Sequence, residues 1–131
     1  MNPRLLAAVA AVSLAACAAQ GPQKPIAPAP VCTGKAQCTA EWAEARTFIL
    51  QNAAYKIQTY SSDFMQTYNS INEDTGLAAQ VNLQPMAGGS YRVVATFSCD
   101  NMFACIPNQW TTLDRFNRAV AAAGQNDLST R

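Results

Sequence analysis

Histidine is absent from all 131 residues. That removes Ser-His-Asp and Cys-His hydrolytic arrangements, His-ligated metals, and the side chain that most often serves as general base near neutral pH. Charge is scarce as well, with nine Lys and Arg against eight Asp and Glu. A chain so nearly neutral, with no basic cluster, lacks the electrostatic footprint that phosphate contacts require, so nucleic acid is not an expected partner. There is no Gly-rich phosphate loop and no nucleophile elbow. Carboxylate pairs are the remaining catalytic option: Glu41 with Glu44, Glu73 with Asp74, or Asp63 with Asp100. Each has a plainer reading, respectively the first turn of a helix, a surface turn and two turn-forming aspartates. An enzymatic role is therefore not expected, and neither is a cofactor or a metal.

What is present begins with Arg4 and an apolar run, Leu5 to Ala16, of Leu, Ala, Val and one Ser. Twelve residues fall short of the roughly twenty needed to cross a bilayer as a helix, and the order of charge then apolar run is that of a secretion signal. The run closes on Leu14-Ala15-Ala16-Cys17, which resembles the lipobox of bacterial lipoproteins. The resemblance implies that Cys17 takes a diacylglyceryl group on sulfur, becomes residue one after cleavage, and is acylated on its new amine. Three acyl chains hold a protein on a membrane effectively permanently, whereas one chain binds reversibly. By the sorting rule of that family, Ala18 and Ala19 in place of an Asp imply the outer membrane, with the domain facing the periplasm. Removal of residues 1–16 takes away Arg4 and leaves eight positive against eight negative side chains.

Residues 17–31 are rich in Pro and Ala and read as an extended tether. With Cys17 assigned to lipid, Cys32, Cys38, Cys99 and Cys105 form an even set in an oxidising compartment. Both near pairs share a C-x5-C spacing with turn formers inside, Thr33-Gly34 and Asp100-Asn101. A crossed Cys32 to Cys99 link would stabilise by roughly 4 kcal/mol against roughly 2 for a seven-residue loop. Local turns nevertheless bring the near partners together first, so Cys32 with Cys38 and Cys99 with Cys105 are the expected disulfides. A four-thiolate zinc site is the rival, disfavoured by spacing and compartment.

The folded domain is expected over 32–124, with a tail at 125–131. Trp42, Ala45, Phe48, Ile49 and Ala53 recur at helical steps and predict a helix over 40–52, capped by Thr39. Residues 55–60 and 64–69 read as a hairpin about Ser61-Ser62-Asp63. The second run also fits a helix capped by Asp63, but its Phe, Thr and Tyr content favours a strand. Leu77 to Leu83 and Tyr91 to Cys99 alternate with period two, separated by Ala87-Gly88-Gly89-Ser90. A closing helix is expected from a Thr111 cap, with Asp114 in its third position and Gly124 at its end. The fold class is α+β: a small antiparallel four-stranded meander flanked by an N-terminal and a C-terminal helix on one face. This order resembles the small helix-plus-meander lipoproteins of Gram-negative envelopes, a resemblance of architecture that carries no functional residue.

Trp42 and Trp110 are expected in the core. The alternation directs Lys56, Gln58, Tyr60, Gln80, Asn82, Gln84, Arg92, Thr96 and Ser98 to the sheet face away from the helices. Of these, Gln58, Gln80, Asn82, Arg92, Thr96 and Ser98 form the candidate interaction face, suited to an envelope protein or a glycan; an edge strand could also pair with a partner. The leading expectation is a lipid-anchored, non-enzymatic interaction module serving envelope assembly or maintenance. Its rival is a periplasmic binding or inhibitor protein that takes a soluble ligand or peptidoglycan in a groove between sheet and helix. A carboxylate enzyme is the least supported.

Overall fold

The computed structural model describes residues 26–130. The expected secretion signal, Cys17 and the start of the Pro-rich segment lie outside them. The domain is α+β, in the order β1 (Val31–Thr33), α1 (Lys35–Asn52), β2 (Ile57–Tyr60), β3 (Phe64–Thr67), β4 (Ala78–Pro85), β5 (Ser90–Ser98) and α2 (Gln109–Ser129). The five strands form one antiparallel sheet in the order β1-β5-β4-β3-β2.

The meander β2 to β5 is the four-stranded sheet the alternation predicts; β1 is the strand it lacks. Three residues with one buried position carry too little pattern to stand out. The pairing Val31 with Arg92 and Thr33 with Ser90 is made by the backbone. The segment ahead of it is also part of the fold. Pro30 is buried and its carbonyl accepts from Val93 N at 2.9 Å. The Ala27 amide donates to Asp114 Oδ1 at 2.8 Å, and the buried Asn117 donates from Nδ2 to Ala27 O at 2.6 Å. Residues 26–31 are thus docked along α2 and β5 rather than extended as a tether. Prolines leave carbonyls without neighbouring amide donors of their own, and here α2 and β5 use those carbonyls.

Helix α1 starts five residues before the expected position. Gly34, at φ 85°, turns the chain from β1 into the helix, a conformation favoured by the lack of a Cβ. Cys38 N then bonds Gly34 O at 3.2 Å, and Thr39, expected as the cap, instead donates its hydroxyl to Lys35 O inside the helix. The Cys32–Cys38 disulfide, Cα atoms 5.0 Å apart, joins β1 to this first turn. Helix α2 also differs at both ends. Asn108 caps it by accepting from Trp110 N and Thr111 N at 2.9 and 3.1 Å, and the helix passes through Gly124 to Ser129.

Both helices lie on one face of the sheet. Trp42, Ala45, Phe48 and Ile49 of α1 and Phe116 and Val120 of α2 pack with Met65, Ala79, Val81, Val93, Ala95 and Phe97 of the strands. Phe48, Phe97 and Phe116 meet edge to face, with centroids 5.4 to 6.2 Å apart. Thr67, polar but buried, accepts from Ala79 N through its hydroxyl at 2.9 Å. The inner-face register of β4 and β5 is as the alternation predicts, because burying Val81, Val93 and Phe97 together fixes it. No helix among the described residues is long and apolar enough to cross a membrane.

Candidate functional site

The outer sheet face is built from register rows. Thr59, Gln66, Gln80 and Thr96 form one; Phe64, Asn82 and Val94 the next; Gln84, Arg92 and Val31 a third; Ala78 faces Ser98. Gln80, Arg92, Thr96 and Ser98 are exposed and Asn82 half-buried, so five of the six expected face residues do stand together. The sixth does not. A β-bulge carries the pairing from Ile57–Thr67 directly to Thr59–Gln66, leaving Gln58 without a partner in β3. The same bulge reverses Tyr60, which pairs with buried Met65, stacks 6.3 Å from Trp42 and lies 5.3 Å beneath the Arg46 guanidinium. Tyr60 thus belongs to the helix side, and Lys56 precedes the strand. Among the described residues, the side chains of Gln66, Gln80, Asn82, Gln84, Arg92, Thr96 and Ser98 hydrogen-bond to no other protein group. Their donors and acceptors face outward.

Of the carboxylate pairs, Asp63 and Asp100 are not brought together. Asp63 sits in the β2–β3 turn beside Ser61, whereas Asp100 follows β5 at the opposite end of the sheet, on the order of 20 Å away at 3.3 Å per residue. Asp74 accepts from the Tyr55 hydroxyl and from Gly76 N, and the Tyr55 bond holds its pKa below the usual carboxylate value. Glu73 gives its amide to Asp100 Oδ2 at 3.2 Å. Ser70 links the cluster, accepting from Asp100 N and donating to Asp74 O. These bonds lace the loops 53–56, 68–77 and 99–107 into one end of the molecule.

Glu41, which the sequence pattern places in the first turn of a helix, is buried at 1% exposure between α1 and α2. Oε1 accepts from Gln37 at 3.3 Å, and Oε2 has no hydrogen-bond partner among the described residues. Burial pushes its pKa up from 4.5 to about 7, offset in part by the Gln37 bond. Gly124 on α2 makes room for it: a Cβ there would stand 2.2 Å from Oε1. The glycine expected to end the helix is instead a crossing point. A shallow, open groove nearby is lined by Lys35, Thr39, Ala40, Ala43 and Asp127, so it lies between helices, not between sheet and helix. Among the described residues no three His, Cys, Asp or Glu gather as metal ligands.

Trp42 is in the core, its indole N–H donating to Ser61 O at 3.2 Å. Trp110 is not: it is half exposed on the first turn of α2. The Cys99–Cys105 disulfide, Cα atoms 5.6 Å apart, closes a loop whose tip, Met102 and Phe103, is 86% and 89% exposed. Both cysteine pairs are those the spacing predicts. The fold defines a small α+β domain with two helices on one face of a five-stranded antiparallel sheet. No protein-family model, curated protein or solved structure matches the chain.

Proposed function

We propose that the protein is a lipoprotein of the outer membrane, anchored through Cys17 and facing the periplasm, whose domain is a non-enzymatic interaction module in envelope assembly or maintenance. One observation carries the interaction reading. The outer sheet face presents amides and hydroxyls with no hydrogen-bond partner among the described residues, beside half-buried Phe64 and Val94 and the cation of Arg92. Such a face suits a protein partner bound by hydrogen bonds around a small apolar centre. Pairing at a sheet edge is the weaker mode, because β2 is short and bulged and β1 has three residues.

The test replaces Gln80, Asn82, Thr96 and Ser98 together by Ala and follows native-envelope crosslinking and pull-down. Surface polar truncations usually change stability by no more than about 0.5 kcal/mol in either direction, so the variant should stay folded at ambient temperature and lose its partner. A variant that folds and keeps every partner refutes the face. For the anchor, Cys17→Ser should abolish palmitate labelling; unchanged labelling refutes the lipobox.

A further inference from the structure

The most exposed of the large apolar side chains lie at one end of the domain. Ile71, Met102, Phe103 and Ile106 are each at least 60% exposed, and Trp110 is 50% exposed. All five sit on the β3–β4 connection, the segment between β5 and α2 that holds the Cys99–Cys105 loop, and the start of α2, which the topology brings together: Ala78 pairs with Ser98, and Ile106 N bonds Thr75 O at 2.9 Å. Apolar side chains exposed singly need no explanation; five at one end, two of them adjacent at a disulfide-closed tip, do.

The chain arrives from the same direction. Because β1 is antiparallel to β5 and Pro30 faces Val93, the path back from Pro30 to Ile26 follows β5 toward its Ser98 end, meeting the first half of α2 at Asp114 and Asn117. Nine residue steps separate Ile26 from Cys17. At most about 3.6 Å per step, they keep the domain within roughly 30 Å of a lipid on Cys17.

We infer that this end of the domain seats on the surface of a zwitterionic phospholipid bilayer, with Met102 and Phe103 entering the boundary between headgroups and acyl chains. The inference rests on the anchoring of Cys17 proposed above. Two of the tip's amides are already bonded, which lowers the cost of bringing it against an apolar medium. Asn101 Oδ1 accepts from Phe103 N and Ala104 N at 3.0 and 3.2 Å, and its Nδ2 donates to Glu73 O at 2.7 Å. The disulfide and these bonds order the loop in advance, so docking loses little conformational freedom. Trp110 stands where an indole sits well, its ring at the interface and its N–H toward headgroups. Glu73, Asp74 and Asp100 rim the same end, which favours an uncharged bilayer over an anionic one.

The experiment reconstitutes the purified mature protein in phosphatidylcholine vesicles carrying brominated acyl chains and reads tryptophan emission, with intact mass recording acylation of Cys17. Phe103→Trp is compared with Leu128→Trp, an exposed apolar position at the far end of α2, both in a Trp110→Phe background whose own emission, that of buried Trp42, is subtracted. Trp at 103 should shift to the blue and lose emission to bromine, while Trp at 128 should match soluble indole. An acylated protein whose Trp at 103 stays unquenched overturns this inference and leaves the anchor standing. A blue shift without quenching means that protein covers the tip, and overturns it equally. A mass without acyl chains overturns both readings.

Discussion

Glu41 shows how one side chain sets a pH response. Its carboxyl binds a proton more tightly in the folded state than the ordinary 4.5 of an unfolded chain. Below pH 4.5 both states are protonated and the fold keeps this group's full contribution. As pH rises from 4.5 through about 7, the folded protein must give up the proton and that stability is lost, about 3 kcal/mol in all. The melting temperature should therefore be higher at pH 5 than at pH 8, and Glu41→Gln should flatten the difference and stabilise the protein at pH 8. Unchanged slope in the variant would show that another group titrates in this window. Gly124 belongs to the same contact. Ala in a helix is ordinarily better than Gly by about 1 kcal/mol, but here the new methyl meets the Glu41 carboxyl, so Gly124→Ala should destabilise by roughly 1 to 3 kcal/mol. Glu41→Ala should then tolerate Gly124→Ala, and a thermal-melt double-mutant cycle that is additive would disprove the contact.

At the scale of elements, α1, the meander and α2 were legible because their apolar residues recur at 3.6 or 2. Bounds and faces escaped where a single contact overrides that pattern. The α1 start depends on Gly34 and the Cys32–Cys38 bond, the α2 start on Asn108, and the face of Tyr60 on the bulge at Gln58. None of these has a period. The prolines of 26–31 give the pattern of a spacer, whereas partners far away in sequence hold the stretch: Asp114 and Asn117 lie 87 and 90 residues from Ala27. Asn117→Ala should cost roughly 1 to 2 kcal/mol by leaving the Ala27 carbonyl without its donor. Limited proteolysis should then cut near residues 26–30 sooner than in wild type; equal protection would mean that β1 alone holds the segment.

For the whole molecule, the aromatic trio of Phe48, Phe97 and Phe116 is the central joint between helices and sheet. Phe97→Ala should lower stability by roughly 3 to 5 kcal/mol in chemical denaturation, in contrast to the tolerant outer face. Of the candidate site, the polar rows of β4 and β5 were visible in advance since alternation alone assigns them. The buried Glu41 and the apolar end were not, because each exists only once distant segments meet.

The strand order carries a last consequence, for the time course of folding. Neighbours in the meander β2-β3-β4-β5 are also neighbours in sequence, so those pairings close short loops, while β1 must find β5 across some sixty residues, Val31 against Arg92. Short closures cost less chain entropy than long ones, which places the edge strand last to form and first to open. In hydrogen exchange the amides of β1 and of Val93, which bonds Pro30, should exchange ahead of those of the inner β4 ladder. The helices and meander can thus assemble while the stretch ahead of α1 is still free, so disturbing that stretch should speed unfolding more than it slows folding.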